Sequence, residues 1–112
     1  MKTFIFLSLL STQLLAASWN AGDFKIDLTN TKDGDWLSSN CLKECSIDLK
    51  ARKNLKAQKL TADELQGGKN PGSVICKRIG ADVIYLKNET TTQAFCSLDG
   101  SVVSLSRLIR LI

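Results

Sequence analysis

Four cysteines are the feature that most limits how this chain of 112 residues can fold. They are Cys41, Cys45, Cys76 and Cys96, and an even number of cysteines in a short exported chain is typical of a disulfide framework. Zinc binding is the alternative, but the spacing lacks paired C-x-x-C knuckles and the chain contains no histidine. We therefore expect two disulfides and no metal site. Spacing alone leaves all three ways of pairing four cysteines open.

The N-terminal segment predicts that the chain is exported. Lys2 gives it a positive start, residues 4–15 are mostly apolar, and residues 16–18 are small, as a signal peptidase requires. The apolar stretch is shorter than the roughly 20 residues of a membrane-spanning helix, which disfavours an uncleaved anchor. We therefore predict a signal peptide over residues 1–18, with cleavage after Ser18 or, alternatively, one or two residues earlier.

Removal of the predicted signal leaves 94 residues, which is enough for one domain near the lower size limit of unaided folding. The signal contains one basic residue and no acidic one, so the mature part has 14 basic and 11 acidic residues and a net charge of +3. That balance is ordinary for a periplasmic or secreted protein and gives no reason to expect nucleic acid as a partner.

Residues 19–68 are expected to form a long helix preceded by a short strand. Residues 24–28 alternate between apolar and polar, as a strand does. Residues 36–60 contain neither Gly nor Pro and are rich in helix-forming residues. Four residues recur there at every fourth position: Leu37, Cys41, Cys45 and Leu49. The outer face of this helix is basic, so we expect a solvated surface, with contact to acidic lipid or polymer as the alternative.

Residues 69–112 begin with the signature of a second, short helix. Asn70 is a suitable N-cap, and Pro71 fits the first helical position because its missing N–H needs no partner there. Gly80 is a natural C-terminal stop.

A three-stranded meander is predicted after this helix. Its strands are residues 83–86, 93–98 and 101–105, and the dipeptide Asp99-Gly100 between the last two favours a two-residue hairpin turn. The apolar residues of the tail, residues 105–112, follow a helical spacing, which favours a terminal amphipathic turn. The predicted fold class is α+β: an N-terminal helix and a short helix packed on a small antiparallel meander, stapled by disulfides, with 19–68 and 69–112 forming one compact domain.

The C-terminal half resembles a bacterial family of small exported domains of unknown function, numbered 333, which is often labelled haemolysin. The family pattern is Asn-Pro, a Cys five residues after the Pro, a Gly, a variable hairpin and Cys-x-x-Asp-Gly-Ser. The matching residues are Pro71, Cys76, Gly80, Cys96, Asp99, Gly100 and Ser101. The resemblance covers about residues 69–112, and it implies a fold and an exported setting but no activity.

The resemblance also implies a bond between Cys76 and Cys96, which would join the short helix to the middle strand of the meander. Cys41 and Cys45 then remain. Side chains four apart on a regular helix lie farther apart than a disulfide allows, so their bond would distort the helix. A structural crosslink is the favoured interpretation, a redox-active pair is the alternative, and crossed pairing with Cys76 and Cys96 stays open.

The residues that catalysis usually needs are missing. Without histidine there is no Ser-His or Cys-His pair, and no glycine-rich phosphate loop occurs. We therefore predict a non-enzymatic binding module of the bacterial envelope without a cofactor, whose partner is an unidentified protein or envelope component. It would present residues 87–92 and the tail. A membrane-associated protein that uses the basic helix and the tail is the alternative, and a thiol-disulfide protein using Cys41 and Cys45 is a weaker one.

Overall fold

The computed structural model describes residues 15–112, in which six antiparallel strands close into a barrel. The strands are β1 (Leu15–Ala21), β2 (Phe24–Asn30), β3 (Trp36–Leu37), β4 (Asp82–Lys87), β5 (Thr92–Leu98) and β6 (Ser101–Ser104). Their order around the barrel is β1-β2-β3-β6-β5-β4. Pairing of Asn20 with Lys87 joins β1 to β4 and closes the ring.

The first hairpin pairs β1 with β2 over their whole length, from Leu15 opposite Asn30 to Ala21 opposite Phe24. Gly22 starts the turn with a φ of 61°, a conformation that costs glycine little. Side chains alternate across a strand, so Trp19 and Leu28 are buried inside the barrel while their neighbours Ser18 and Asp27 are exposed.

Within residues 15–112 the fold also contains three helices and one 3₁₀ turn: the turn at Ser39–Cys41, α1 (Ser46–Ala57), α2 (Pro71–Arg78) and α3 (Leu105–Ile109). All three helices contact β5, and α1 and α3 also contact β6. Among residues 15–112 no helix has both the length and the apolar character needed to cross a membrane.

The buried residues form two separate clusters, one on each face of β5 and β6. The barrel core lies inside the ring and consists of Trp19, Leu28, Leu86, Phe95 and Val102. The helix core lies between the sheet and the helices and contains all four cysteines, together with Ile47, Ile75, Val103, Leu108 and other apolar residues. Because both faces of β6 are covered, all four of its residues are buried.

The predicted α+β fold with a three-stranded meander is therefore wrong. Strands β4, β5 and β6 are half of a closed barrel, and β1, β2 and β3 supply the other half. The sequence does not predict β1 because residues 15–18 also fit the end of an export signal. Residues 1–14 of the predicted signal lie outside the described residues, and residues 15–18 belong to β1.

The predicted helix over residues 36–60 is also wrong at its start. Leu37 of β3 pairs with Val103 of β6, and the amide of Ser38 donates to the carbonyl of Val102 over 2.8 Å. These contacts with β6 override local helix propensity, so α1 begins only at Ser46. The predicted stripe therefore breaks, and Leu49 is 54% exposed.

Candidate functional site

The four predicted cysteines form two disulfides, Cys41–Cys45 and Cys76–Cys96. The Cys76–Cys96 bond joins α2 to β5, with 5.7 Å between the Cα atoms. The Cys41–Cys45 bond closes the loop before α1 instead of lying within a helix. Both disulfides suggest an oxidising compartment outside the cytoplasm.

The Cys41–Cys45 pair has little of what thiol exchange requires. Cys41 is fully buried and Cys45 is 7% exposed, so an attacking thiolate has no open path to either sulfur. The side chain of Asp48 lies beside Cys45 and accepts from its backbone N–H over 3.4 Å.

The motif residues around α2 act as its two caps. The side chain of Asn70 accepts from the amides of Gly72 and Ser73, over 2.8 and 3.2 Å, and Pro71 is the first helical residue. At the other end Gly80 has a φ of 79°, and its amide and that of Ala81 donate to the carbonyls of Lys77 and Cys76. These two hydrogen bonds form a Schellman motif, which satisfies the last carbonyls of the helix.

Asp99 and Gly100 form the tight turn between β5 and β6, with φ values of 50° and 84°. They lie at the end of the sheet. Among the predicted motif residues, Asn70 is the one that also lines a cavity of the described chain.

A groove lies between α2 and β4, and we call it the α2–β4 groove. Its volume is about 740 Å³, within the usual range for ligand sites. Its lining comes from α2, the segment before α2, β4, β5 and the start of α3: Glu64, Lys69, Asn70, Ser73, Val74, Lys77, Arg78, Val83, Tyr85, Ala94 and Leu105. Val83 and Tyr85 are two apart on β4 and therefore share a face, as do Ser73 and Lys77, four apart on α2.

One wall of the α2–β4 groove is fixed by Arg78. Its guanidinium donates to the carboxylate of Glu64, to the side-chain oxygen of Asn54 over 3.0 Å, and to the carbonyls of Gln58 and Lys59 over 2.7 and 3.1 Å. These bonds tie the segment after α1 to α2. The hydrogen bonds from Arg78 and from the amide of Thr61 hold the pKa of Glu64 below its usual value.

The open side of the groove carries positive charge and one large aromatic ring. Within residues 15–112 no ion pair engages Lys69 or Lys77, and both are exposed. Tyr85 is 66% exposed on the outer face of β4. Because Glu64 and Arg78 neutralise each other, Lys69 and Lys77 give the groove a net positive charge.

The tail is held against the domain by two arginines. Arg107 donates from Nε and Nη2 to the two oxygens of the buried Asp48, over 3.2 and 3.1 Å. Arg110 donates to the buried Asp35 over 3.1 Å and to the carbonyl of Asp33. These carboxylates raise the pKa of both arginines. Leu105 and Leu108 lie in the helix core, so the tail is a packed element of the fold.

The loop of residues 87–92 is exposed and shaped by Asn88. The side chain of Asn88 accepts from the amides of Thr90 and Thr91, each over 2.9 Å. Such an Asx turn stabilises the loop without help from other elements. The loop contributes no residue to the lining of the α2–β4 groove, whereas the tail contributes Leu105. Of the two predicted presenting elements, the structure therefore brings only the start of the tail to the groove.

No local sequence signal marks the groove residues Lys69, Lys77 and Tyr85, because nothing nearby in the sequence distinguishes them from other exposed side chains. Sequence spacing alone places Ser73 with Lys77 on one face of α2. It does not show that this face packs beside β4, and the groove exists only because of that packing. Within residues 15–112 no three acidic or cysteine side chains are grouped to hold a metal ion.

Comparisons with protein-family models, with curated proteins and with solved structures found no match to this chain. The resemblance of residues 69–112 to the family of exported domains therefore stays a prediction.

Proposed function

We propose that this protein is a non-enzymatic binding module outside the cytoplasm, and that its α2–β4 groove binds an acidic segment of another envelope protein. The observation that carries the proposal is a fixed groove with two unpaired cations and an exposed tyrosine at its mouth. Tyrosine is enriched at the centres of protein interfaces because its ring buries much area while its hydroxyl stays hydrogen-bonded.

The rigidity of the groove supports this function. The Cys76–Cys96 bond ties α2 to β5, and Cys96 pairs directly with Val83 of β4, which lines the groove. Arg78 fixes the opposite wall through Glu64. A site that is already ordered loses less entropy on binding, so its contacts yield more affinity.

Charge supports an acidic partner. Lys69 and Lys77 have no carboxylate partner within residues 15–112, so an acidic side chain that reaches them does not have to displace one. Electrostatic complementarity of this kind raises the association rate and selects the partner's charge.

Export to the periplasm or the cell exterior is part of the proposal. It rests on the signal-like residues 1–18 and on two disulfides that an oxidising compartment favours. Cleavage after Ser18 would leave Trp19–Ala21 of β1, which retains the buried Trp19.

A second candidate function is association with an acidic membrane surface, favoured by the lysines of α1 and of the segment just after it. Lys50, Lys53, Lys56 and Lys59 are all exposed. The apolar tail that this function would insert is packed into the helix core instead, which weakens it. Thiol exchange at Cys41 and Cys45 is weaker still because both residues are buried.

The experiment is a pull-down from envelope extract with the oxidised domain and two groove variants, Tyr85→Ala and Lys69→Gln/Lys77→Gln. Phe24→Ala and Lys50→Gln/Lys53→Gln are the matched controls, because Phe24 is an exposed aromatic of β2 and the two lysines are exposed on α1, all outside the groove. We expect one partner to be captured by the wild type and both controls and to be lost with both groove variants.

An acidic peptide taken from that partner should compete for binding, and competition should weaken at high salt. Equal capture by the groove variants, at unchanged melting temperature, would overturn the proposed site. Capture of anionic vesicles in place of a protein, lost with Lys50→Gln/Lys53→Gln, would favour the membrane function.

A further inference from the structure

A second groove lies between the C-terminal end of α1 and the tail. We call it the α1–tail groove. Its volume is about 700 Å³, and Arg52, Leu55, Lys56, Lys59, Leu60, Leu111 and Ile112 line it. It shares no lining residue with the α2–β4 groove, so its chemistry can be considered independently.

The floor of this groove is apolar. Leu55, Leu60 and Leu111 are partly buried and pack against the helix core, so the floor is continuous with a fixed part of the fold. Ile112 extends the floor outward and is 63% exposed. An apolar strip of this kind gains free energy when a ligand covers it.

The rim of the groove is cationic. Arg52 donates to Glu44 over 2.8 Å, and that ion pair is exposed. Lys56 and Lys59 are exposed, and within residues 15–112 no carboxylate pairs with them. No acidic side chain lines the groove. The apolar floor therefore lies beside a rim where two lysines are available to an anion.

We propose that the α1–tail groove binds a single-chain anionic amphiphile, namely a medium-chain fatty acid, with the acyl chain on the leucine floor and the carboxylate at Lys56 and Lys59. Charge complementarity selects the headgroup, since a neutral chain leaves both lysines without a partner. The floor lies in a groove edged by Lys56 and Lys59, and a groove favours one bound chain over a flat bilayer surface.

Chain length and charge make separate contributions that can be measured separately. Each methylene that becomes buried raises affinity roughly fourfold until the floor is filled. Loss of the headgroup charge, or of the two lysines, should lower affinity by about five- to tenfold, as expected for exposed charge pairs.

The test is isothermal titration of the oxidised protein with octanoate, decanoate and dodecanoate below their micelle concentrations, beside neutral dodecyl maltoside. We expect one saturable site whose affinity rises with chain length, and at least fivefold weaker binding of the maltoside. Lys56→Gln/Lys59→Gln should weaken dodecanoate at least fivefold. The matched control Lys50→Gln/Lys53→Gln removes the same charge from α1 outside this groove and should change affinity less than twofold.

Leu60→Ser should abolish the dependence on chain length while melting within a few degrees of the wild type. Equal losses in the two lysine pairs would show general attraction of anions to α1 and would overturn the proposal. So would an absence of saturable binding, or binding that appears only with anionic vesicles. None of these results bears on partner capture at the α2–β4 groove, so the two proposals fail separately.

Discussion

The barrel core and the helix core are stabilised in different ways. The barrel core has no crosslink among the described residues and is centred on Trp19, whose ring meets Trp36 edge-on at 5.3 Å and Phe95 at 5.1 Å. The helix core contains both disulfides, and two arginine–aspartate pairs tie its tail down. One side of the sheet depends on packing, and the other adds covalent bonds and ion pairs.

This difference follows from the elements that surround each core. The strands of a closed barrel satisfy one another's backbone groups, so packing inside the ring is sufficient. The helices have 12, 8 and 5 residues, and helices of such length are marginal when isolated. Crosslinks and ion pairs hold these short helices, and the two grooves that they form, in place. The comparison yields four predictions, from the largest expected effect to the smallest.

Trp19→Ala should cause the largest loss, about 3–5 kcal/mol of the free energy of unfolding, because it removes the centre of the barrel core. Urea denaturation of the oxidised protein measures this value. Phe24→Ala is the control, since Phe24 is 49% exposed on β2 and should cost much less. A similar loss in both variants would show that the barrel does not depend on its aromatic centre.

The Cys76–Cys96 bond closes a loop of 20 residues in the unfolded chain. Its removal in Cys76→Ala/Cys96→Ala should therefore lower the free energy of unfolding by about 3 kcal/mol. The Cys41–Cys45 bond closes a much shorter loop, with a separation of 4 residues, so its removal in Cys41→Ala/Cys45→Ala should cost about 2 kcal/mol. The measurement is urea denaturation of both double variants. If the shorter loop proved the more important, unfolded-state entropy would not explain the helix core.

Arg107→Gln should destabilise the helix core by about 2 kcal/mol, because it leaves the fully buried Asp48 without its cation. The figure is below that of a fully buried pair because the Arg107 side chain is 23% exposed. Arg52→Gln is the matched control, since the Arg52–Glu44 pair is exposed and should change stability little. Thermal unfolding of both variants at neutral pH distinguishes them, and equal melting temperatures would contradict a structural role for Asp48.

The parts of the fold that the sequence predicted correctly are those set by local chemistry. Asn70-Pro71 marks the start of α2 and Gly80 marks its end. These signals are local because an N-cap, the fixed φ of proline and a left-handed glycine each act within a few residues. The barrel was missed because its closure depends on pairing of Asn20 with Lys87 and of Leu37 with Val103, which no local pattern shows. The same reason hid both grooves, since an exposed lysine at a groove has the same local sequence signal as any other exposed lysine.

The smallest effect is expected at Glu64, which lines the α2–β4 groove and forms an ion pair with Arg78. The hydrogen bonds from Arg78 lower the folded-state pKa of Glu64 below the ordinary value of 4.5. Its contribution to stability is therefore present above pH 4.5 and is lost as the pH falls through the lower folded-state pKa. Glu64→Gln should have a lower melting temperature than the wild type at neutral pH, and this difference should shrink on acidification below pH 4.5.

Melting temperatures of both proteins between neutral pH and the acid range measure this dependence. Glu89→Gln is the control, because Glu89 is exposed in the loop of residues 87–92 and forms no ion pair within the described chain. Its melting curve should follow the wild type at every pH. If the difference for Glu64→Gln stayed constant with pH, ionisation of Glu64 would not be what anchors Arg78. The wall of the α2–β4 groove would then depend on the hydrogen bonds that Arg78 donates to the uncharged oxygens of Asn54, Gln58 and Lys59.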